Sequence, residues 1–343
     1  MTSFSMRTGR GVCMLAAICL PLIAGTAQTA TSRIVIAANS FLSTLNDKQR
    51  QSVLFAFDDK KQRVRWSNFP IQMVPRAGIS LKEMNAAQRD AAMGLVASAL
   101  SSRGFEKVQQ IMEGDEVNKI NEGGNPIFGK DLYFISILGT PSEKEPWMLQ
   151  FGGHHLALNI TIAGEHGVLT PTLTGAQPAL YTSNGKTVRP LGQESDKAFA
   201  LLNALDESQC KQAILSYRLA DLVLGPGQDG KTIQPEGLKA SDMNEHQRAM
   251  LLEVISEWAN IIHESAASER MAEIKAGLNE TWFAWSGPTT VTPGRNITAY
   301  YRIQGPNLVI EYAPQRLGGD PSMHVHTMYR DPTNDYGRKF ITK

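Results

Sequence analysis

Two groups of histidines carry the clearest chemical signal in this sequence. His154 and His155 are adjacent, whereas one residue separates His324 from His326. Residues two apart in a β-strand point to the same face, so His324 and His326 could reach one metal ion. Adjacent strand residues face opposite sides, so at most one of His154 and His155 would be a natural ligand. This spacing predicts a histidine-rich site for a divalent transition metal.

A glutamate in an apolar segment could complete the ligand set. Glu311 lies in the segment 308–312, whose other members are Leu, Val, Ile and Tyr. A carboxylate in such a strand is costly unless it is paired or bound to a metal. Three histidines and one glutamate suit zinc, copper or iron. If Glu311 is not a ligand, it is a candidate general base, or it pairs with Arg302 or Arg330.

Arg330 follows the second histidine group and leads into a turn-rich tail. Its guanidinium could bind an anionic substrate, or it could hold Glu311. We therefore predict Glu311 and Arg330 as catalytic residues. The predicted metal ligands are the four grouped histidines and the glutamate: His154, His155, His324, His326 and Glu311.

Three functions are compatible with such a site. The first is a metal-dependent enzyme, a hydrolase or an oxidoreductase, acting on a small-molecule, sugar or peptide ligand. The second is a non-catalytic metal-binding protein. The third is a ligand-binding module in which the histidines form a hydrogen-bonded core. The chain lacks a diagnostic metal motif such as H-E-x-x-H, so the sequence leaves these alternatives open.

The glycine-rich segment 225–232, GPGQDGKT, matches the letters of a nucleotide-binding P-loop. That loop requires a strand before it and a helix behind it, so that helix amides face phosphate. Here a helical pattern precedes the segment, and Pro235 and Gly237 prevent a useful helix after it. We therefore predict a turn without nucleotide binding.

One helix-start pattern occurs four times and indicates how the elements are organised. An Asn or Asp is followed three residues later by Gln at Asn46, Asn85, Asp206 and Asn244. Such a residue caps a helix, because its side chain accepts hydrogen bonds from the exposed amides of the first turn. The Gln side chain reaches back to the backbone amide of the capping residue. The spacing is nearly equal in the two pairs, and strand-like segments follow each pair. Chance similarity of capping signals is the alternative explanation for this recurrence.

The pattern predicts an α+β fold in a single globular domain. We expect an internally duplicated helix pair followed by antiparallel strands, with pseudo-repeats at about 40–180 and 195–335 and all strands in one sheet.

The N-terminal segment 1–27 has the layout of a cleaved secretory signal. Arg7 and Arg10 precede an apolar run over 12–24, and Gly-Thr-Ala follows at 25–27. A short N-terminal anchor is the alternative. No later apolar run is long enough to span a bilayer, so we expect no stable membrane insertion and a periplasmic or secreted protein.

The charge balance argues against nucleic acid as a partner. The chain has 34 Lys and Arg against 33 Asp and Glu, a formal net charge of +1. A nearly neutral chain without a basic run offers no electrostatic attraction for a phosphate backbone.

The histidine and glutamate segments resemble the uncharacterised domain-of-unknown-function family 3500. The resemblance covers nearly all of the chain after residue 27, and it implies no agreed activity. Members of the family often have Glu-Tyr-Asp where this chain has Glu311-Tyr312-Ala313, so Ala313 replaces an Asp. They often have Asn-His-x-His where this chain has Met-His-Val-His at 323–326, so Met323 replaces an Asn. The histidine groups and the glutamate match, so the differences concern neighbours of the predicted ligands. The segments that carry the resemblance are 151–159, 283–285, 300–306, 310–312 and 324–327.

Overall fold

The structure, a computed structural model, describes residues 1–2, 28–317 and 319–341. The predicted signal segment therefore lies outside the described residues, apart from its first two positions. Among the helices of the described ranges, none has the length and apolar character needed to cross a membrane.

The four predicted helix starts are confirmed. Each of the four capping residues accepts a hydrogen bond from the backbone amide of the Gln three positions on, and the side chain of that Gln accepts one from the backbone amide of the cap. The capping glutamines also bind each other between helices: Gln88 donates to Gln49 at 2.9 Å, and Gln247 donates to Gln209 at 2.8 Å. The pattern thus caps the start of each helix and also links neighbouring helices through hydrogen bonds. In the described residues the helices are α1 Ala30–Ser43, α2 Asp47–Val53, α3 Lys60–Arg63, α4 Ala86–Ala99, α5 Ser102–Asn121, α6 Gly192–Asn203, α7 Glu207–Ala213, α8 Glu245–Ala259 and α9 Glu264–Ala276.

The strands form one large sheet and a small hairpin. The sheet order is β1-β3-β4-β5-β7-β14-β13-β12-β11-β10, with β2 beside β3 and β6 beside β5, while β8 and β9 form the hairpin. All pairs are antiparallel except β1 with β3. The strands are β1 Leu54–Phe55, β2 Ile79–Ser80, β3 Phe134–Leu138, β4 Trp147–Gly153, β5 Leu156–Ala163, β6 His166–Val168, β7 Thr172–Ala176, β8 Tyr181–Ser183, β9 Lys186–Val188, β10 Leu238–Lys239, β11 Trp282–Ser286, β12 Tyr300–Gly305, β13 Leu308–Pro314 and β14 Val325–Arg330.

The two halves of the chain meet at the pair β7–β14, in the middle of the sheet. The hydroxyls of Thr174 and Thr327 lie 2.7 Å apart across this seam. On each side, consecutive antiparallel strands follow a pair of helices, in the order that the sequence predicts. The predicted α+β fold in a single globular domain is confirmed. An internal duplication as the origin of this order stays a prediction.

Alternation along the strands gives the sheet two different faces. One face packs against the helices in the main core, which contains Trp147, Trp258 and Trp285. The other face carries a smaller apolar cluster, to which Trp66 and Tyr336 contribute from outside the strands. Irregular segments rather than long helices therefore cover this second face. The predicted site residues of β13 and β14 lie on it.

Candidate metal centre

His154 and His155 form a turn, not part of a strand. The last pair of the β4–β5 hairpin is Gly153 with Leu156, so the two histidines are the connecting residues. His155 has a φ of 60°, in the left-handed region that non-glycine residues rarely adopt. The prediction that the two side chains face opposite sides of a strand is therefore wrong: their rings stack at 3.7 Å. Such backbone strain persists when the surroundings impose it, and it occurs often at functional sites.

Three imidazoles converge through their Nε2 atoms. The Nε2 of His324 lies 3.1 Å from the Nε2 of His155 and 3.1 Å from the Nε2 of His326. All three ligand atoms lie within 4.8 Å of one another. Nitrogen ligands of tetrahedral zinc, each about 2.0 Å from the metal, lie about 3.3 Å apart. The distances to His324 are therefore close to those that a bound metal requires.

Hydrogen bonds among the three rings cannot satisfy this arrangement. The Nδ1 of His324 lies 2.9 Å from the carbonyl oxygen of Leu317 and donates to it, which leaves the Nε2 with a lone pair. That single lone pair can accept one N–H, yet two Nε2 atoms approach it, those of His155 and His326. A metal ion bound by all three lone pairs removes this conflict.

Burial keeps the three rings neutral, which is the form that binds metal. The exposed fractions of His155, His324 and His326 are 2, 6 and 5%. Loss of solvent lowers the pKa of His155 well below its usual value, and it lowers the pKa of His324 to about 4. The pKa of His326 is also lowered, mainly by burial. Protons therefore compete little for the ligand nitrogens at neutral pH.

His154 belongs to a neighbouring polar group rather than to the trio. Its Nδ1 lies 2.6 Å from Oδ1 of Asp115, and the hydroxyl of Tyr133 donates to the His154 carbonyl at 2.8 Å. Burial raises the pKa of Asp115. Because the rings of His154 and His155 are stacked, this group fixes the orientation of His155.

Sequence reasoning did not identify Asp115, although the helix pattern contains a clue. The buried stripe of α5 includes Val108, Ile111 and Met112, and Asp115 continues it at helical spacing. A carboxylate on a buried stripe needs a partner, and here that partner is His154.

The Nδ1 of His326 has two polar neighbours from separate loops. The amide nitrogen of Asn68 lies 3.4 Å from it, and Oδ1 of Asp221 lies 3.9 Å from it. Groups at this position hold a metal-bound histidine in the correct orientation. The Asp221 carboxylate can accept the Nδ1 proton that a ring bound to metal through Nε2 carries, whereas the Asn68 NH₂ group can only donate. Asp221 therefore supports the third ligand of the trio, and Asn68 packs beside it.

Gly175 provides the space in which two of the rings approach. A Cβ atom at this position would lie 2.9 Å from the Val325 carbonyl oxygen and 3.1 and 3.2 Å from Cδ2 of His155 and His326. The Gly175 amide also donates to the His155 carbonyl at 2.7 Å. The lack of a side chain at Gly175 therefore makes room for the rings of His155 and His326.

The variant Gly175→Ala is expected to weaken metal binding about 10- to 100-fold, because two ligands must move to admit the methyl group. The measurement is competitive titration of metal against a chelating dye. Gly94→Ala is the matched control, since its Cβ meets no atom within 4 Å. Equal affinities of Gly175→Ala and the wild type would contradict this role of Gly175.

The structure places Glu311 outside the group of histidines. Among the described residues, the side chains that could share an ion with His324 do not include Glu311. Its carboxylate accepts hydrogen bonds from the amides of Val223 and Leu224 at 2.7 and 2.8 Å, and from the Tyr300 hydroxyl at 2.7 Å. These three bonds indicate an anchor for the loop that contains Asp221, rather than a ligand or a free general base.

Arg330 also serves as an anchor and does not contact Glu311. Its guanidinium donates to the carbonyls of Leu224 and Gly225 at 2.7 and 3.1 Å, and it pairs with Asp229 and Asp335 at 3.1 and 2.9 Å. Both predicted catalytic residues thus hold the irregular segments on the second face of the sheet. Of the predicted site residues, the structure brings His155, His324 and His326 together, with His154 beside them.

Comparison with known proteins identifies a family for this chain. The model of the family described as "Protein of unknown function (DUF3500)" matches residues 27–338, nearly the whole chain. No curated protein and no solved structure matches the chain. The matched range includes every residue of the candidate metal centre.

Proposed function

This chain belongs to the DUF3500 family, and we propose that it binds a divalent transition metal through the Nε2 atoms of His155, His324 and His326. The observation that carries the proposal is the convergence of three neutral, buried imidazoles on one point. The three rings come from different backbone positions: His155 lies in a strained turn, His324 directly precedes β14, and His326 lies in β14. The Leu317 carbonyl and the stacked ring of His154 orient two of them.

We propose further that the protein is a metal-dependent enzyme, a hydrolase or an oxidoreductase. Structural zinc sites are closed by four protein ligands, whereas catalytic sites have three protein ligands and one open position. A three-histidine set has the composition of the second class. A metal held there would act as a Lewis acid toward water or substrate, or as a redox centre if it were copper.

The ligand set favours zinc or copper over iron. Imidazole suits both zinc and copper, whereas the common ferrous site of oxygenases combines two histidines with one carboxylate. The carboxylate that could have supplied this ligand, that of Glu311, instead binds Val223, Leu224 and Tyr300.

A non-catalytic metal-binding protein is the second candidate, and the burial of the site favours it. The three ligand rings expose at most 6% of their surface, and the loop around Asn68 covers His326. A substrate must displace part of this cover before it can reach the metal. A closed centre would serve metal storage or stability instead.

Cobalt substitution of the protein, purified without a His-tag, separates these functions. One cobalt per chain with the absorption of a nitrogen-ligated tetrahedral site would support metal binding. A spectral shift on addition of azide would identify an exchangeable position and support the enzyme. A spectrum that azide leaves unchanged would support the closed centre. Failure to take up cobalt, zinc or copper after chelation and reloading would overturn both.

We also propose export of the chain to the periplasm or the medium, on the composition of its first 27 residues. Cell fractionation with N-terminal sequencing tests this, and an uncleaved cytoplasmic product would contradict it. A small-molecule, sugar or peptide ligand remains a prediction that follows from the enzyme proposal.

A further inference from the structure

A pocket with charged groups on one side lies at the end of β14 away from the metal centre. Its volume is about 330 Å³. His326 and Arg330 are four residues apart on this strand, which corresponds to about 13 Å. The charged residues of its lining are four cations, Arg63, Lys231, Arg330 and Arg338, and two acids, Asp229 and Asp335. We propose that this pocket binds a small organic molecule through an oxyanion group, a carboxylate or a phosphate.

Arg63 is the strongest evidence for an anionic ligand. It is buried, with 5% of its surface exposed. Its guanidinium donates to the carbonyls of Phe57 at 2.8 Å and Tyr336 at 2.7 Å. Among the described residues, no carboxylate pairs with it. Three of its five N–H groups contact these carbonyls, which leaves two for a ligand. The exposed Asp58 carboxylate attracts Arg63 from beyond ion-pair distance, and burial still lowers the pKa of Arg63. A buried cation without a paired carboxylate is costly, and an oxyanion would relieve that cost.

The two acids of the pocket do not supply this counter-ion. Asp229 pairs with Arg330 at 3.1 Å and accepts from the Tyr336 hydroxyl at 2.5 Å. Asp335 pairs with the same arginine at 2.9 Å and accepts from the Asp331 amide at 2.9 Å. Both acids are thereby engaged by Arg330. With two acids against four cations, the lining keeps a formal charge of +2 for a bound anion.

The glycine-rich segment 225–232 brings one of these cations to the pocket. Gly227 and Gly230 have φ values of 76° and 75°, so the chain makes the tight turns that glycine permits. Arg330 holds the start of the segment through the Gly225 carbonyl. The exposed residues Lys231 and Thr232 then line the pocket. The segment thus has the composition of an anion-binding loop without the helix of a P-loop.

The remaining lining defines the body of the ligand. Leu224, Pro332 and Ile341 add an apolar wall to the charged side. The geometry of a planar guanidinium suits carboxylate and phosphate equally well, so it does not discriminate between these two groups. The apolar wall does, because it favours an anion that carries an apolar body. Benzoate presents a carboxylate on an apolar ring, whereas inorganic phosphate presents the anion alone.

Isothermal titration of the full chain with benzoate and with inorganic phosphate tests the proposal. One saturable site per chain is expected, with an affinity that falls as salt is raised. The double variant Lys231→Gln/Arg338→Gln should bind about tenfold more weakly, because it removes two charge-assisted contacts from exposed positions. Lys211→Gln is the matched control, since its exposed lysine pairs with Glu207 away from the pocket.

Each outcome of the titration decides one point. Saturation by benzoate alone identifies a carboxylate with an apolar body, and saturation by phosphate identifies a phosphate group. Retained binding in His324→Ala/His326→Ala supports a site separate from the metal centre, and loss of binding there overturns it. No saturable binding of either probe, or equal affinity in the Lys231→Gln/Arg338→Gln variant, also overturns the proposal.

Discussion

Alanine in place of both His324 and His326 is expected to abolish stoichiometric metal binding. The double variant removes two of three converging Nε2 atoms and leaves His155 as the one remaining ring of the trio. Loss of an outer partner of a metal ligand typically costs about 10- to 100-fold in affinity, so loss of two ligands should cost far more. Elemental analysis of tag-free protein should therefore change from about one metal per chain to almost none.

The control for this variant must remove two histidines without touching the trio. His166 and His246 are both exposed, and they provide the double variant His166→Ala/His246→Ala. Its metal content should equal that of the wild type. Circular dichroism must show that both variants are folded. Metal retained in a folded His324→Ala/His326→Ala protein would place the site elsewhere and leave these rings as core residues.

The local rules of strands and helices predicted part of this site. Strand alternation placed His324 and His326 on one face, and the structure brings their Nε2 atoms to 3.1 Å. The capping pattern at Asn85 and Asn244 predicted where helices begin, and both capping boxes are present. These inferences succeeded because each depends on residues a few positions apart.

The remaining features depend on contacts between distant segments, which periodicity does not encode. The turn at His155 follows from the hairpin register, and the strand prediction there failed for that reason. Asp115 reaches His154 from a helix, and Gly175 on β7 makes room for two rings. The predicted role of Glu311 rested on its costly burial, which was correct, but its partners are loop amides rather than a metal.

Replacement of Glu311 is expected to destabilise the fold rather than to remove a ligand. In Glu311→Ala, the amides of Val223 and Leu224 and the hydroxyl of Tyr300 lose their acceptor. Each buried donor left unsatisfied costs about 1–3 kcal/mol, so the free energy of unfolding should fall by about 3 kcal/mol or more. Urea denaturation of the chelator-treated protein measures this loss. Glu207→Ala, at an exposed position, should change the free energy by less than about 0.5 kcal/mol.

The near-isosteric variant Glu311→Gln separates an anchor from a ligand. Its amide oxygen can accept from one backbone N–H, while its NH₂ group faces the other donor, so an intermediate loss of stability is expected. The folded Glu311→Gln protein should still bind one metal per chain, because the three imidazoles are intact. Wild-type stability together with lost metal would instead make Glu311 a ligand. Burial raises the pKa of Glu311, so the wild type holds the charged carboxylate at a cost that the neutral amide of Gln avoids. Gln should therefore be tolerated better than Ala.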